Sequence, residues 1–125
     1  KYVSYLDNNA NKIRVFEGFF DFLSYHSIYQ NEEQELTNFL VLNSLSFFER
    51  SLLLMEKHES IHLYLDNDEA GRKCTSLAQK RSLKFTDESK LYKGYKDLNE
   101  WNVKLNEHNV NLKIKEVKHR MRRHL

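Results

Sequence analysis

Three acidic residues lie where apolar segments of the sequence end. Glu17 follows the β-branched and aromatic segment 13–16, and Asp66 and Asp68 follow the apolar segment 60–65. Two like charges about 5 Å apart repel by roughly 3 kcal/mol at an effective dielectric constant of about 20. A divalent cation would offset that repulsion, and Mg²⁺ prefers hard oxygen ligands while leaving open positions to phosphate oxygens. The residue types therefore predict a Mg²⁺ site, which Mn²⁺ can also occupy.

Each part of this pattern also has an ordinary structural explanation. An Asp-x-Asp sequence is common in turns and as a helix cap, and a glutamate after a strand is equally common. The joint order is more specific, because Lys96 and Asp97 follow before another helix. No histidine or cysteine stands beside these residues to suit zinc, so the ligand types favour a hard cation.

The spacing of apolar residues predicts the elements that would position these carboxylates. Alternating strands and helices predict an α/β fold, with a Rossmann-like, mostly parallel central sheet of about four strands flanked by helices. Ligands bind beyond the carboxyl ends of such strands, so Glu17, Asp66, Asp68 and Asp97 are expected at one edge. The predicted strands are 13–17, 38–43, 60–65 and, more weakly, 82–85, and the predicted helices are 19–30, 47–58, 68–81 and 97–108, with 1–6 as an edge strand or a remnant of a preceding region.

Composition limits the class of protein. The 125 residues are 40% hydrophobic and 30% charged, which predicts one globular domain with its own core. No apolar run reaches the length of a membrane span, so we expect no membrane partner. The single cysteine, Cys74, excludes an internal disulfide and fits a cytoplasmic location. No signal-peptide pattern follows Lys1, and we expect the chain to be part of a longer protein.

Charge is distributed unevenly along the chain. The net charge is +2, but residues 113–125 contain six Lys or Arg and one Glu. A basic segment beside an acidic body is typical of a metal site next to a surface that binds a polyanion. A solvated terminal helix explains the same segment equally well. We divide the chain into a lead-in (1–11), a catalytic domain (12–108) and a basic tail (109–125).

Three segments together resemble the Toprim domain. They are VFEGFFDFLS (15–24), LYLDNDEAGRK (63–73) and YKDLNEW (95–101). The resemblance is closest to bacterial DnaG-type primases and to primase-like proteins of mobile elements. It implies a Toprim fold, with Glu17, Asp66 and Asp68 as the catalytic residues. The metal ligands that it implies are Glu17, Asp21, Asp66, Asp68 and Asp97.

One position departs from the family pattern. Where primases often have a second acid after Lys-Asp-x, this chain has Asn99, followed by Glu100. An asparagine supplies a neutral oxygen, so the number of metal ions held at this position is left open.

The resemblance implies Mg²⁺-dependent nucleotidyl transfer, the synthesis of an RNA primer from nucleoside triphosphates on a single-stranded DNA template. Two alternatives stay open: cleavage of nucleic acid, as in nucleases and topoisomerases, and a non-catalytic metal- and DNA-binding module of a mobilisation protein. Primases also use other domains of a longer chain, so we expect the isolated segment to be inactive. The predicted phosphate contacts are Arg72, Lys73, Lys96, Lys118, Arg120, Arg122 and Arg123.

The sequence also predicts which aromatic residues are buried. We expect Phe19, Phe20 and Phe22 in the core, and Trp101 as a core anchor rather than a platform for stacking bases.

Overall fold

The computed structural model describes residues 2–33 and 35–123, the last two by their backbone alone. Strands and helices alternate along most of the chain, as the sequence predicts. In chain order the elements are β1 (Ser4–Leu6), β2 (Lys12–Phe16), α1 (Phe19–Ile28), β3 (Asn38–Val41), α2 (Phe48–Met55), β4 (Ser60–Tyr64), α3 (Glu69–Arg81), β5 (Phe85–Asp87) and α4 (Leu98–Arg123), with short 3₁₀ turns at Leu45–Phe47 and Ser89–Tyr92.

The strands form one five-stranded sheet in the order β1-β3-β2-β4-β5. The β2–β3, β2–β4 and β4–β5 pairs are parallel, and only β1 runs antiparallel, at the edge beside β3. The prediction of an α/β fold with a mostly parallel sheet is therefore confirmed. The sheet has a fifth strand because the segment 4–6 adds the edge strand that the sequence left open.

Two apolar layers hold the helices against the sheet. Side chains alternate between the faces of a strand, so Ile13 and Val15 of β2 face one layer and Phe16 faces the other. Phe48, Met55 and Ala78 of α2 and α3 complete the first layer, and Cys74 packs against it. The second layer contains Tyr25 of α1, Tyr92 of the second 3₁₀ turn and Leu98 of α4, and Trp101 packs against it as a core anchor. None of the described helices combines the length and the apolar character needed to cross a lipid bilayer.

Most predicted boundaries differ from the structure by one to three residues, and two predicted elements are misplaced more seriously. The predicted strand 82–85 lies too early, because the amide of Ser82 still donates to the carbonyl of Ala78 at the end of α3. The strand that forms pairs Phe85–Asp87 with Ile61–Leu63. The predicted helix 97–108 continues to Arg123, because no glycine or proline interrupts the sequence after Gly94. The described part of the predicted basic tail is thus a continuation of α4.

Candidate metal centre

Parallel pairing brings the first two carboxylates together. Phe16, the last residue of β2, is in register with Tyr64, the last residue of β4. Glu17 follows at once, and Asp66 follows after the buried Leu65. The backbone amide of Asp66 donates to Oε1 of Glu17 at 3.0 Å. The carboxyl edge of the sheet therefore holds both acids, as the sequence predicts.

The acidic residues form two overlapping groups. One carboxylate oxygen from each of Glu17, Asp66 and Asp68 lies within 4.8 Å of the others. Oxygens of Asp21, Asp66 and Asp97 meet the same limit. Asp66 belongs to both groups, so it is the central residue of the cluster. All the residues predicted as metal ligands are brought together here.

A glycine allows α3 to approach the cluster closely. A Cβ atom on Gly71 would lie 2.2 Å from the carbonyl oxygen of Asp66, which is far inside van der Waals contact. The amide of Gly71 donates to Oδ1 of Asp68 at 2.8 Å, so Asp68 is the N-cap of α3. A carboxylate has two oxygens, and capping with one leaves the other available to a cation. Asp68 thus has both a structural contact and a place in the cluster.

Asn67, between the two aspartates, attaches the following loop to the end of β4. Its side-chain amide donates to the carbonyls of Ser89, Tyr92 and Tyr95 at 3.4, 3.4 and 3.0 Å. Its backbone amide donates to the carbonyl of Lys96 at 2.6 Å. These bonds determine where Asp97 enters the cluster. This role of Asn67 was not predicted from the sequence.

Asp21 and Asp97 join the ends of two helices to the cluster. Oδ1 of Asp97 accepts from the amide of Glu100 at 2.8 Å, which caps α4. Oδ1 of Asp21 accepts from the amide of Asn99 at 3.0 Å. The side-chain oxygen of Asn99 accepts from the hydroxyl of Ser24 at 3.1 Å. Asn99, the departure from the family pattern, therefore connects α4 to α1 through both its backbone and its side chain.

The cluster is electrostatically costly when all of its acids are ionised. Burial raises the pKa of Asp66 to about 8, and the charges of Glu17, Asp21, Asp97 and Asp68 add to this effect. Burial also raises the pKa of Asp21 to about 6, with a further contribution from Asp97, against the lowering effect of the Asn99 amide. The pKa of Glu17 is raised chiefly by burial, although the amide of Asp66 opposes the shift. The site favours a bound proton or a bound cation.

These residues fit a hard divalent cation. Every candidate ligand is a carboxylate oxygen, the ligand class that Mg²⁺ and Mn²⁺ prefer. The raised pKa values of Asp21 and Asp66 indicate an excess of negative charge that such a cation would neutralise.

The predicted phosphate-binding residues fall into two sets. Lys96 is exposed and close enough to lower the pKa of Glu17, while Arg72 lines a small cleft of about 130 Å³ together with Asp66. Lys73, the fifth residue of α3, is also exposed. Lys96 and Arg72 therefore lie beside the cluster.

The second set lies farther away on α4. Lys118 comes 21 residues after Asp97, which places it roughly 30 Å along the helix. Arg120 pairs with Glu116 one turn away. The side chains of Arg122 and Arg123 lie outside the described residues. The described members of this set therefore do not reach the carboxylate cluster.

Two aromatic residues beside the cluster were predicted wrongly. Phe19 and Phe20 begin α1 directly after Glu17 and Gly18, and their side chains are 48% and 69% exposed. Phe22 alone of the three packs against the apolar layer. The first turn of α1 buries Asp21 instead, because that carboxylate faces α4. Three phenylalanines so close in sequence suggest a buried segment, but residues 19, 20 and 22 point in different directions around a helix. The helix therefore cannot bury all three side chains.

Comparison with known proteins agrees with this fold. A family model described as Toprim-like matches residues 14–102. No curated protein matches the chain. The crystal structure of the primase fragment of the bacteriophage T7 primase-helicase protein aligns with a TM-score of 0.61 and 23% identity, over 86% of this chain and 45% of that one.

A second solved structure gives a similar alignment. It is that of the bacteriophage T7 lagging-strand DNA polymerase interacting with primase domains of two gp4 subunits bound to an RNA/DNA hybrid and dTTP. One of its chains aligns with a TM-score of 0.59 and 26% identity, over 85% of this chain and 53% of that one. The chain therefore spans about half the length of the solved chains that it resembles.

Proposed function

The chain belongs to the Toprim-like family, and from that premise we propose that it is the catalytic domain of a primase-like protein. The proposed reaction is Mg²⁺-dependent nucleotidyl transfer, which makes an RNA primer on a DNA template. The observation that carries the proposal is the convergence of two groups of three carboxylates on Asp66. The likeness to the T7 primase fragment favours primer synthesis over cleavage.

The carboxylates have distinct proposed roles. Glu17, Asp66 and Asp68 would hold one cation, and Asp21, Asp66 and Asp97 would form a second position next to it. When bound, Mg²⁺ supplies positive charge to the phosphate oxygens at which charge develops during transfer. The hydrogen bond from the Asp66 amide fixes the carboxylate of Glu17 toward the cluster. The cap that Asp68 makes to Gly71 fixes its carboxylate in the same way.

Phosphates need attraction that the acidic residues themselves do not provide. Lys96 and Arg72 are exposed beside the cluster, and Lys73 is the exposed residue after Arg72. These are the cations that we assign to the phosphates of a nucleotide or template. Lys118 and Arg120 lie too far along α4 to contact the same phosphates, and Arg122 and Arg123 come later still in the sequence. Their contact with nucleic acid stays a prediction from the sequence, and for Lys118 and Arg120 it competes with the protein partner proposed in the next subsection.

Phe19 and Phe20 offer contacts to bases. Exposed aromatic rings beside a phosphate site provide a surface on which any base can stack. Both rings stand two to three residues after Glu17, on the first turn of α1. We assign them to the base of the nucleotide or of the template strand.

The partners follow from the same proposal. In the T7 complex the primase domains are bound to an RNA/DNA hybrid and dTTP. For this chain we propose single-stranded DNA and nucleoside triphosphates as ligands. Because the T7 chains are about twice as long, other domains of a longer protein would supply the remaining template contacts.

A binding and turnover experiment tests the proposal. Asp68→Asn is the informative variant, because asparagine caps a helix about as well as aspartate but carries no charge. Labelled ATP is titrated with the chain and Mn²⁺, with and without a single-stranded oligonucleotide, and the products are separated by size. The proposal expects Mn²⁺-dependent ATP binding that Asp68→Asn abolishes, and any product longer than the labelled substrate strengthens it. ATP binding independent of Mn²⁺, or shortening of the oligonucleotide, overturns it.

A further inference from the structure

The second half of α4 projects away from the domain. Every residue from 106 to 121 is exposed. At 1.5 Å per residue this segment is about 24 Å long. The contacts that hold α4 to the body come from its first two turns, where Leu98 is buried, Trp101 packs against the apolar layer, and Asn102 and Leu105 are half-buried. The remaining helix has no partner among the described residues.

Local interactions do not explain why this segment is helical. Isolated helices of this length are marginal in water even when their residues favour helix. Here Asn109, Val110, Asn111, Ile114 and Val117 are all weak helix formers. The side-chain pairs Lys104–Glu107 and Glu116–Arg120 each add only a small stabilisation. A surface that packs against the helix would supply the rest.

An apolar stripe marks the side on which such packing would occur. Val110, Ile114, Val117 and Met121 are 56%, 47%, 53% and 63% exposed. Their spacings of four, three and four residues place them at alternating d and a positions of a heptad. Val103, at the d position one heptad before Val110, is 46% exposed, but Glu107 takes the a position between them, so the apolar stripe begins at Val110. This is the pattern of a helix that pairs with another helix.

The residues flanking the stripe determine what kind of helix fits. In this register Lys113 and Arg120 occupy g positions and Lys118 occupies an e position. A second copy in parallel would bring Lys113 against Lys118, and an antiparallel copy would bring g positions together. Both arrangements oppose cations to cations. Self-pairing is therefore disfavoured, and acidic flanks are complementary.

We propose that the 106–121 segment of α4 is a docking surface for an acidic amphipathic helix of a partner protein. Such a helix would cover the apolar stripe and pair its carboxylates with Lys113, Lys118 and Arg120. A nucleic-acid backbone would use these cations but leave the stripe exposed to water. A membrane surface would favour a broad face with large aromatic residues, whereas this stripe is narrow and has none.

The probe for this surface is a synthetic three-heptad peptide with Ile and Leu at its a and d positions and Glu at e and g. A matched peptide carries Lys at e and g. The 125-residue chain is titrated into each fluorescently labelled peptide and the anisotropy is measured. The proposal expects the acidic peptide to bind at least about tenfold more tightly than the lysine peptide. Equal binding of the two, or binding of neither, overturns it.

Two substitutions on opposite sides of α4 test the stripe. Ile114→Gln removes an apolar side chain from it, and Leu112→Gln removes one of similar exposure, 51%, from outside it. Only Ile114→Gln should weaken binding of the acidic peptide. The paired substitution Lys113→Glu with Lys118→Glu should reverse the preference between the two peptides. Circular dichroism of each variant confirms that the domain is folded, since all of these side chains are exposed.

Three further outcomes would contradict the proposal. Sedimentation could show that the chain alone forms a dimer that Ile114→Gln dissociates. Vesicles of anionic lipid could bind the chain with the same dependence on Ile114. A single-stranded oligonucleotide could displace the acidic peptide while its own binding is unchanged by Ile114→Gln. The last result would assign the cations to nucleic acid, and these tests do not depend on whether the carboxylate cluster transfers nucleotides.

Discussion

The backbone amide of Asp66 donates a hydrogen bond of 3.0 Å to Oε1 of Glu17, a residue 49 positions earlier in the chain. This bond joins the ends of two neighbouring parallel strands, and it keeps two carboxylates of like charge close together without any cation. The consequence is a buried carboxyl group, that of Asp66, whose pKa is raised to about 8. The cluster therefore makes a specific contribution to how stability depends on pH.

Without metal, the free energy of unfolding should fall as the pH rises from about 4 to about 8. The folded chain holds protons on Asp66 and Asp21, with pKa values of about 8 and about 6, that the unfolded chain releases near its ordinary value of 3.8. A state that binds more protons loses stability as protons are removed. We expect a decrease on the order of 2 kcal/mol, because water at the open edge screens part of the effect.

Urea unfolding across this pH range measures the effect. The variant Asp66→Asn should lose most of this decrease in the free energy of unfolding. The control is Glu59→Gln, because Glu59 is exposed at the opposite edge of the sheet, and this variant should retain the decrease. Stability that is independent of pH in the wild type, or a decrease of equal size in Asp66→Asn, would show that the cluster is not the cause.

Gly71→Ala should destabilise the chain by about 1–3 kcal/mol. The added Cβ would meet the carbonyl oxygen of Asp66 at 2.2 Å, so α3 must move away from the turn that carries the two aspartates. Urea unfolding measures the loss, and Ser76→Ala, exposed on the same helix, is the control. Wild-type stability in Gly71→Ala would mean that the close approach of α3 is not needed.

Asn67→Ala should loosen the loop that leads to Asp97 while leaving the sheet intact. The variant loses three hydrogen bonds to loop carbonyls, and we expect a cost of about 1–3 kcal/mol. Amide hydrogen exchange should accelerate in residues 89–97 and stay unchanged in β2 and β4. If exchange in the loop matches the wild type, the backbone bond from Asn67 to Lys96 suffices to hold it.

Phe20→Ala should weaken binding of single-stranded oligonucleotides by roughly fivefold or more, because stacking on an aromatic ring contributes about 1–3 kcal/mol per base. Mn²⁺ binding should not change, since the ring supplies no ligand. The control is Leu53→Ala on α2, where an apolar side chain is 75% exposed on the other side of the sheet. Equal losses in both variants would mean that Phe20 contributes only surface area.

The sequence predicts the site better than its surroundings, and the reason is physical. Glu17 and Asp66 follow strands whose composition is strongly apolar, and parallel strands in one sheet must end at the same edge. The exposure of Phe19 and Phe20 was not predictable from composition, because it depends on which side of α1 faces α4. The loop contacts of Asn67 join residues 22 to 28 positions apart, which no local pattern indicates.

The length of α4 was also not predicted from composition. The sequence prediction ended this helix at residue 108 and treated residues 109–125 as a separate basic tail, yet no glycine or proline is present there to terminate the helix. The apolar stripe from Val110 to Met121 has heptad spacing, and that signal was available in the sequence. Heptad spacing of exposed apolar residues indicates a helix that packs against another helix. A prediction based on composition alone did not detect this spacing.

The most direct test of the account is Mn²⁺ binding measured by electron paramagnetic resonance on the wild type, Asp66→Asn, Glu17→Gln and Asp97→Asn. Asp66 belongs to both carboxylate groups, whereas Glu17 and Asp97 belong to one each. We therefore expect Asp66→Asn to weaken Mn²⁺ binding at least about tenfold, and each of the other two variants to weaken it less. Wild-type Mn²⁺ binding in Asp66→Asn would contradict the central claim that this cluster is a metal centre.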